Sequence, residues 1–192
     1  LNILMDHVTH GKTERKTLED CLGLVLSEDV YALLDMPPFS RSAQDGYALC
    51  SKDSIGATGE NPVKLQVTGK IYAGDHLDVQ VRPGEAVRIM TGAMVPVGAD
   101  CVLRQEDTDE GEDVVQIYKE VEPSCSICFK GEEYKKGHTL LHAGTKIDAA
   151  ALAVASGNGI MELPVYRRVK AAVVSSGSEV VEPGTPLTPG KI

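Results

Sequence analysis

The spacing of apolar positions changes character three times along the chain. Residues 1–35 carry a dense apolar set, Leu22, Leu24, Val25, Leu26, Val30, Leu33 and Leu34, interrupted by charges. That spacing predicts mostly helical structure, split into two short elements by Gly23 and the Ser27-Glu28-Asp29 step. Asp35-Met36-Pro37-Pro38-Phe39 then ends regular structure, because proline removes backbone donors and restricts the residue before it. From about 40 to 123 the period falls to two. Val63-Lys64-Leu65-Gln66-Val67, Ala86-Val87-Arg88-Ile89-Met90, Ala99-Asp100-Cys101-Val102-Leu103 and Val114-Val115-Gln116-Ile117-Tyr118 read as strands between Pro/Gly loops. The acidic stretch from Glu106 to Asp113 reads as a solvated hairpin tip around Gly111.

Residues 124–166 return to mixed α/β patterning. Ala149-Ala150-Ala151-Leu152-Ala153-Val154-Ala155 is a strong helix former, with Asp148 placed as N-cap and Gly157 and Gly159 as its stop. The order helix, strands, helix predicts an α+β multidomain chain. A discontinuous α/β domain, 1–36 plus 124–167, is interrupted by an inserted β-rich domain, 37–123. Val169-Lys170-Ala171-Ala172-Val173-Val174 then reads as the interior strand of a parallel sheet. It runs into Ser175-Ser176-Gly177-Ser178-Glu179, at the strand end where α/β folds place ligands. No further strand or helix pattern follows before Ile192, so 168–192 is expected to open a further, truncated α/β domain.

Composition narrows the function classes. The 192 residues include 19 Lys+Arg against 28 Asp+Glu, a formal net charge of −9. Such a surface disfavours nucleic acid and anionic membranes, which need a basic face. No apolar stretch reaches the ~18–20 residues of a membrane helix. Five cysteines, an odd number, without a signal peptide read as reduced, giving the expectation of a cytoplasmic protein.

Three constellations carry candidate chemistry. Cys125-x-x-Cys128 with His138 and His142 has the residue types of a zinc site, but the Cys128–His138 interval is shorter than the ~12 residues of a finger. These four read first as packing and surface residues, with a zinc-stabilised module as the rival. The polar loop from Ser40 to Ala48 holds an Asp45-Gly46 pair, a common turn dipeptide. Thr91-Gly92 follows a strand directly, so its hydroxyl and amides either hold an oxyanion such as phosphate or close a tight loop with Thr91 bonding its own backbone. There is no nucleophile triad, P-loop or complete GxGxxG.

The same loops, in the same order, resemble the MoeA/gephyrin E-domain family of molybdopterin molybdenumtransferases. The likeness runs through Asp35-Met36-Pro37-Pro38-Phe39, Asp45-Gly46-Tyr47-Ala48, Arg88-Ile89-Met90-Thr91-Gly92-Ala93, Gly98-Ala99-Asp100 and Gln105-Glu106. It continues in Gly131-Glu132-Glu133, Ala143-Gly144-Thr145, Gly177-Ser178-Glu179 and Pro189-Gly190-Lys191-Ile192.

The resemblance implies molybdenum cofactor biosynthesis: molybdate is inserted into adenylylated molybdopterin, AMP is released, and Mg²⁺ assists. It implies a transferase acting as a homodimer, with this chain holding the first two domains and the start of the molybdopterin-binding domain. By motif, Asp45 and Thr91 are the expected catalytic residues. Ser42, Gly92, Ser176, Gly177 and Glu179 are expected to bind substrate, and Glu133 and Glu179 to hold the metal. The chain departs from the family at Gln44, where Met is usual, and at Ser126-Ile127-Cys128, where an Arg is lost. It departs again at Glu133, one methylene longer than the usual Asp, and at Ser178. A non-catalytic, dimeric binding or scaffold member of the same fold is the alternative.

Overall fold

The computed structural model describes residues 9, 11–75 and 79–192. Its centre is a mixed five-stranded sheet built from β4 (Gly46–Leu49), β5 (Val63–Ile71), β6 (Glu85–Ile89), β7 (Cys101–Arg104) and β8 (Val114–Ile117). The strand order is β7-β4-β6-β5-β8, antiparallel throughout except for the parallel β5–β6 pair. Four of these strands match the period-two segments of the sequence. The acidic stretch forms the expected hairpin tip, with Thr108 bridged to Ile117 and the Asp109 amide donating to the Gln116 carbonyl.

Strand β4 lies at the most buried part of this sheet. All four of its residues are buried, because apolar layers cover both faces of the sheet. Tyr47 and Leu49 pack with Leu65, Leu103, Val115 and Ile117 on one face. Ala48 packs with Ile71, Val87, Ile89 and Val102 on the other. Burying side chains of this size contributes about 1.5–3 kcal/mol each. Gly46 sits so close to β7 that an added Cβ would lie 2.0 Å from the Leu103 carbonyl oxygen, so no side chain fits there.

A second apolar cluster draws on both ends of the chain. Strands β1 (Thr13–Thr17) and β11 (Glu162–Tyr166) pair antiparallel, from Thr13 opposite Tyr166 to Thr17 opposite Glu162. Leu24, Leu26, Val30, Ile147, Leu163 and Val165 pack beneath helix α1 (Ala149–Gly157), whose Ala151 and Ala155 face the cluster. The Asp148 carboxylate caps α1 by accepting from the Ala151 amide at 2.8 Å, as the sequence predicts.

Two expectations are overturned. Of the stretch 1–35, residues 1–8 and 10 lie outside the described residues; the remainder is not helical. It holds β1, a single 3-10 turn at Leu18–Asp20 and the short β2 (Val30–Tyr31), which pairs with β10 (Thr139–Leu141). The reason is tertiary: the amides of Gly23, Leu26 and Ser27 donate to the carbonyls of Ile147, Thr145 and Pro164. Backbone donors committed across the chain cannot close helical turns. The end-to-end part of the fold is therefore mostly β, with one α-helix among the described residues.

The strand expected at Val169–Val174 does not form either. Val169, Val173 and Val174 are exposed, Val173 at 95%. A strand needs a neighbour to take its amides, and none of the described residues flanks this run.

Candidate functional site

The sheet brings two distant loops to one end of β4 and β6. β3 (Arg41–Ser42) pairs with β9 (Ile127–Cys128), and its other side receives the loop after β6. Ser42 donates its amide to the Ala93 carbonyl at 2.9 Å and accepts from the Gly92 amide at 2.8 Å. The loop itself is a tight turn in which the Ala93 amide returns to the Met90 carbonyl at 3.0 Å. Gly92 takes the third turn position at φ +82°, where an L side chain is strained.

This clamp sets Asp45 against Thr91. The Thr91 hydroxyl donates to Asp45 Oδ1 at 2.6 Å, and the Thr91 amide donates to the same oxygen at 2.7 Å. Among the described residues no hydrogen bond engages Asp45 Oδ2. Both side chains are exposed. The Thr91 hydroxyl, then its amide, holds the Asp45 carboxyl below the ordinary carboxylate range, with Arg88 adding to the effect against slight burial. The site is thus an ionised carboxylate with one oxygen fixed and one presented to solvent.

That geometry corrects the phosphate-cradle reading of the Thr91 loop. The amides of Thr91, Gly92 and Ala93 are all spent, on Asp45, Ser42 and Met90. Nor does Thr91 bond its own backbone, the other reading. The site presents acceptors, which suit a hydrogen-bond donor or a cation rather than an oxyanion.

The remaining expected site residues are placed as follows. Ser42 is buried, and its hydroxyl donates to the Gln44 carbonyl and accepts from the Gln44 amide, so it braces the loop. Glu133 is half-exposed and ion-pairs with Arg41 at 3.9 Å. Ser176, Gly177 and Glu179 lie in the exposed terminal stretch. There the hydrogen bonds stay local: the Val180 amide donates to the Gly177 carbonyl, the Ile192 amide to the Glu179 carbonyl, and Lys191 to the Ser178 carbonyl. Neither Glu133 nor Glu179 belongs to a metal-binding group of three or more His, Cys, Asp and Glu among the described residues.

Of the zinc-like set, His138 stacks on Tyr134 with ring centroids 6.3 Å apart, and His142 faces Asp29 at 3.6 Å. The described residues hold no group of three or more His, Cys, Asp and Glu arranged to bind a metal ion. None of the described helices is long and apolar enough to cross a membrane.

Sequence reasoning missed Arg88 as a site-supporting residue. Its guanidinium lies over the Tyr47 ring, 5.6 Å from the centroid, and donates to the Tyr47 hydroxyl at 3.1 Å, to Gln105 Oε1 at 3.2 Å and to Glu110. The available signal was strand alternation: residues 45, 47 and 49 of one strand share a face with 86 and 88 of its neighbour.

The model of the MoeA N-terminal region, domains I and II, matches residues 1–159. The chain belongs to this family. It is 45% identical over 175 residues to molybdopterin molybdenumtransferase 2 of Mycobacterium tuberculosis (strain H37Rv), covering 91% of this chain and 43% of that protein. It is 39% identical over 190 residues to the molybdopterin molybdenumtransferase of Staphylococcus epidermidis (strain ATCC 12228), covering 99% of this chain and 45% of that one. The crystal structure of the molybdopterin biosynthesis MoeA protein of Pyrococcus horikoshii OT3 superposes with a TM-score of 0.91 at 34% identity, over 99% of this chain and 50% of that chain. The chain thus spans less than half the length of these curated MoeA relatives. Several residues that carry the family likeness prove to be braces. Asp100 accepts from the Ser51 amide and hydroxyl, Asp35 from the Lys136 amide, and the Gly144 amide donates to the Leu26 carbonyl.

Proposed function

We propose that this chain is the N-terminal part of a molybdopterin molybdenumtransferase, and that Asp45 and Thr91 act in its reaction. That reaction is the insertion of molybdate into adenylylated molybdopterin with release of AMP. The supporting observation is the pairing of two separately encoded loops at one carboxylate oxygen. Evolutionary likeness alone would leave Asp45 and Thr91 as two motifs; their contact makes one acid–hydroxyl unit. In this role Asp45, ionised and held by Thr91 at Oδ1, uses Oδ2 to accept a hydrogen bond from the group attacking the pyrophosphate link. A fixed acceptor of this kind orients the reacting group and takes up its proton.

We assign 37–123 to one domain and 1–36 with 124–167 to another, with β9 packed on the first through Ile127. Residues 168–192 begin a third domain supplied by the rest of the protein, and Gly92, Ser176, Gly177 and Glu179 meet substrate in that longer, homodimeric, cytoplasmic assembly. The described residues do not make a Mg²⁺ site: Glu133 is paired with Arg41, and no group of three or more His, Cys, Asp and Glu is placed to hold a metal ion.

The test is molybdenum insertion by the intact protein, read as pterin-bound molybdenum and released AMP. Asp45→Ala should lower the rate by about 10²-fold or more, the usual scale for a lost acid–base group. Thr91→Val, which keeps the backbone bond, should cost about tenfold. Unchanged turnover in Asp45→Ala sinks the assignment.

A further inference from the structure

Arg88 makes four hydrogen bonds, and its partners converge around the strand that follows Asp45. One Nη1 donates to the Tyr47 hydroxyl and to the Glu110 carbonyl at 3.3 Å; Nη2 donates to Gln105 Oε1 and to Glu110 Oε2 at 3.4 Å. Tyr47 in turn donates to the Gly111 carbonyl at 3.0 Å. The guanidinium therefore ties β4, β6, the 3-10 turn Gln105–Asp107 and the acidic hairpin tip into one knot. The Gln105 amide donates to the Asp45 carbonyl at 3.0 Å, which carries the knot to the backbone of the catalytic loop.

Two features argue that this arrangement is not incidental packing. The Arg88 Nε is buried with no partner, an energetic cost that a purely stabilising residue would not be expected to carry. Glu110 holds a φ of +56°, a strained backbone for a residue with a side chain, while both its carbonyl and its carboxylate reach Arg88. The planar fork also matters: a guanidinium can satisfy Gln105, Tyr47 and Glu110 together, whereas an ammonium on a flexible stem cannot.

We propose that Arg88 is a positioning residue of the Asp45–Thr91 site, fixing the Asp45 backbone through Gln105 and so directing Oδ2 outward. The proposal rests on Asp45 being catalytic, and its test separates the two.

The measurements are made on the intact protein. Hydrogen exchange of the Gln105 and Thr91 amides, which bond Asp45 directly, should rise about tenfold in Arg88→Gln, while Leu163 and Ala155 in the other cluster stay unchanged. In the same variant kcat for molybdenum insertion should fall about tenfold with KM within about twofold, the signature of lost orientation rather than lost binding. Arg88→Lys keeps the charge and loses the fork, and it should not restore either readout. Should Arg88→Gln fail to fold, Gln105→Ala keeps the Arg88–Tyr47–Glu110 contacts and cuts only the link; the amides at 105 and 91 should still exchange faster. Unaltered exchange at those two amides in a folded variant, or full rescue by lysine, overturns the proposal. Faster exchange with unchanged kcat leaves the positioning contact standing and removes Asp45 from the reaction.

Discussion

The loop at Asp45–Thr91 and the loop at Gly177–Glu179 begin as the same kind of object. Each is a short polar run with a glycine and an acid, set at the end of an apolar segment. In the structure they diverge. Asp45 is held by two donors from a loop 46 residues further on, beside a strand buried on both faces. Glu179 has its backbone carbonyl bonded by the Ile192 amide of the same terminal stretch, where Val173 and Val174 stand in solvent. The difference is one of neighbours: a motif becomes a fixed site when a second element takes up its backbone groups, and stays a bare sequence when none does.

The largest expected effects lie where that neighbour is closest. Gly46→Ala would drive a Cβ to 2.0 Å from the Leu103 oxygen, so β4 and β7 must part. A loss of about 3 kcal/mol or more is expected in denaturant unfolding. Gly177→Ala meets the flexible end of Glu179 and strains a φ of +138°, but the strain falls on an exposed stretch whose hydrogen bonds are local, so unfolding of the rest should change by about 1 kcal/mol or less. Equal losses at the two glycines would break the comparison.

Next in size is the cap that starts the helix beneath the other cluster. Asp148→Ala removes the acceptor of the Ala151 amide and should cost about 1 kcal/mol in the same assay.

Thr91→Val deletes the stronger of the two influences on Asp45. The loss should be about 0.5–1 kcal/mol, discounted because Asp45 is exposed and solvent screens it. Its sign with pH is fixed by the lowered Asp45 pKa: the stabilisation is present above the ordinary carboxylate range and disappears as pH falls through the lowered value. The variant should therefore differ most from the parent near neutrality and converge with it in strong acid. A gap that persists in acid would assign the Thr91 effect to packing instead.

The smallest effect sharpens the comparison from the other side. Deleting 168–192 removes a segment whose hydrogen bonds stay within itself. The unfolding midpoint of the remainder should shift by less than about 0.5 kcal/mol equivalent. A larger shift would mean that the terminal stretch is tied to the fold after all.

Legibility followed the range of the forces involved. Strands β5, β6, β7 and β8 were readable because alternation along half-buried and buried strands is local in sequence. Asp148 was readable because a cap bonds an amide three residues away. The stretch after residue 11 misled because leucines at near-helical spacing reported burial, not conformation. Its amides found partners at Thr145, Ile147 and Pro164, which no local pattern announces. At the site, Asp45 and Thr91 were legible as residues through family likeness, but the phosphate cradle was not real. Only the fold shows that the loop's amides are already spent.

By itself the sequence determined the family, the strands of the central sheet, the capped alanine helix and the residues worth testing. These follow from periodicity, capping chemistry and motif, all written in neighbouring positions. Tertiary structure alone decided that Thr91 serves Asp45, that Ser42 braces rather than presents its hydroxyl, that Glu133 answers Arg41, and that Arg88 knots the site to the acidic hairpin. Most of those outcomes join residues far apart in sequence, and a hydrogen bond counts its partners in space, not along the chain.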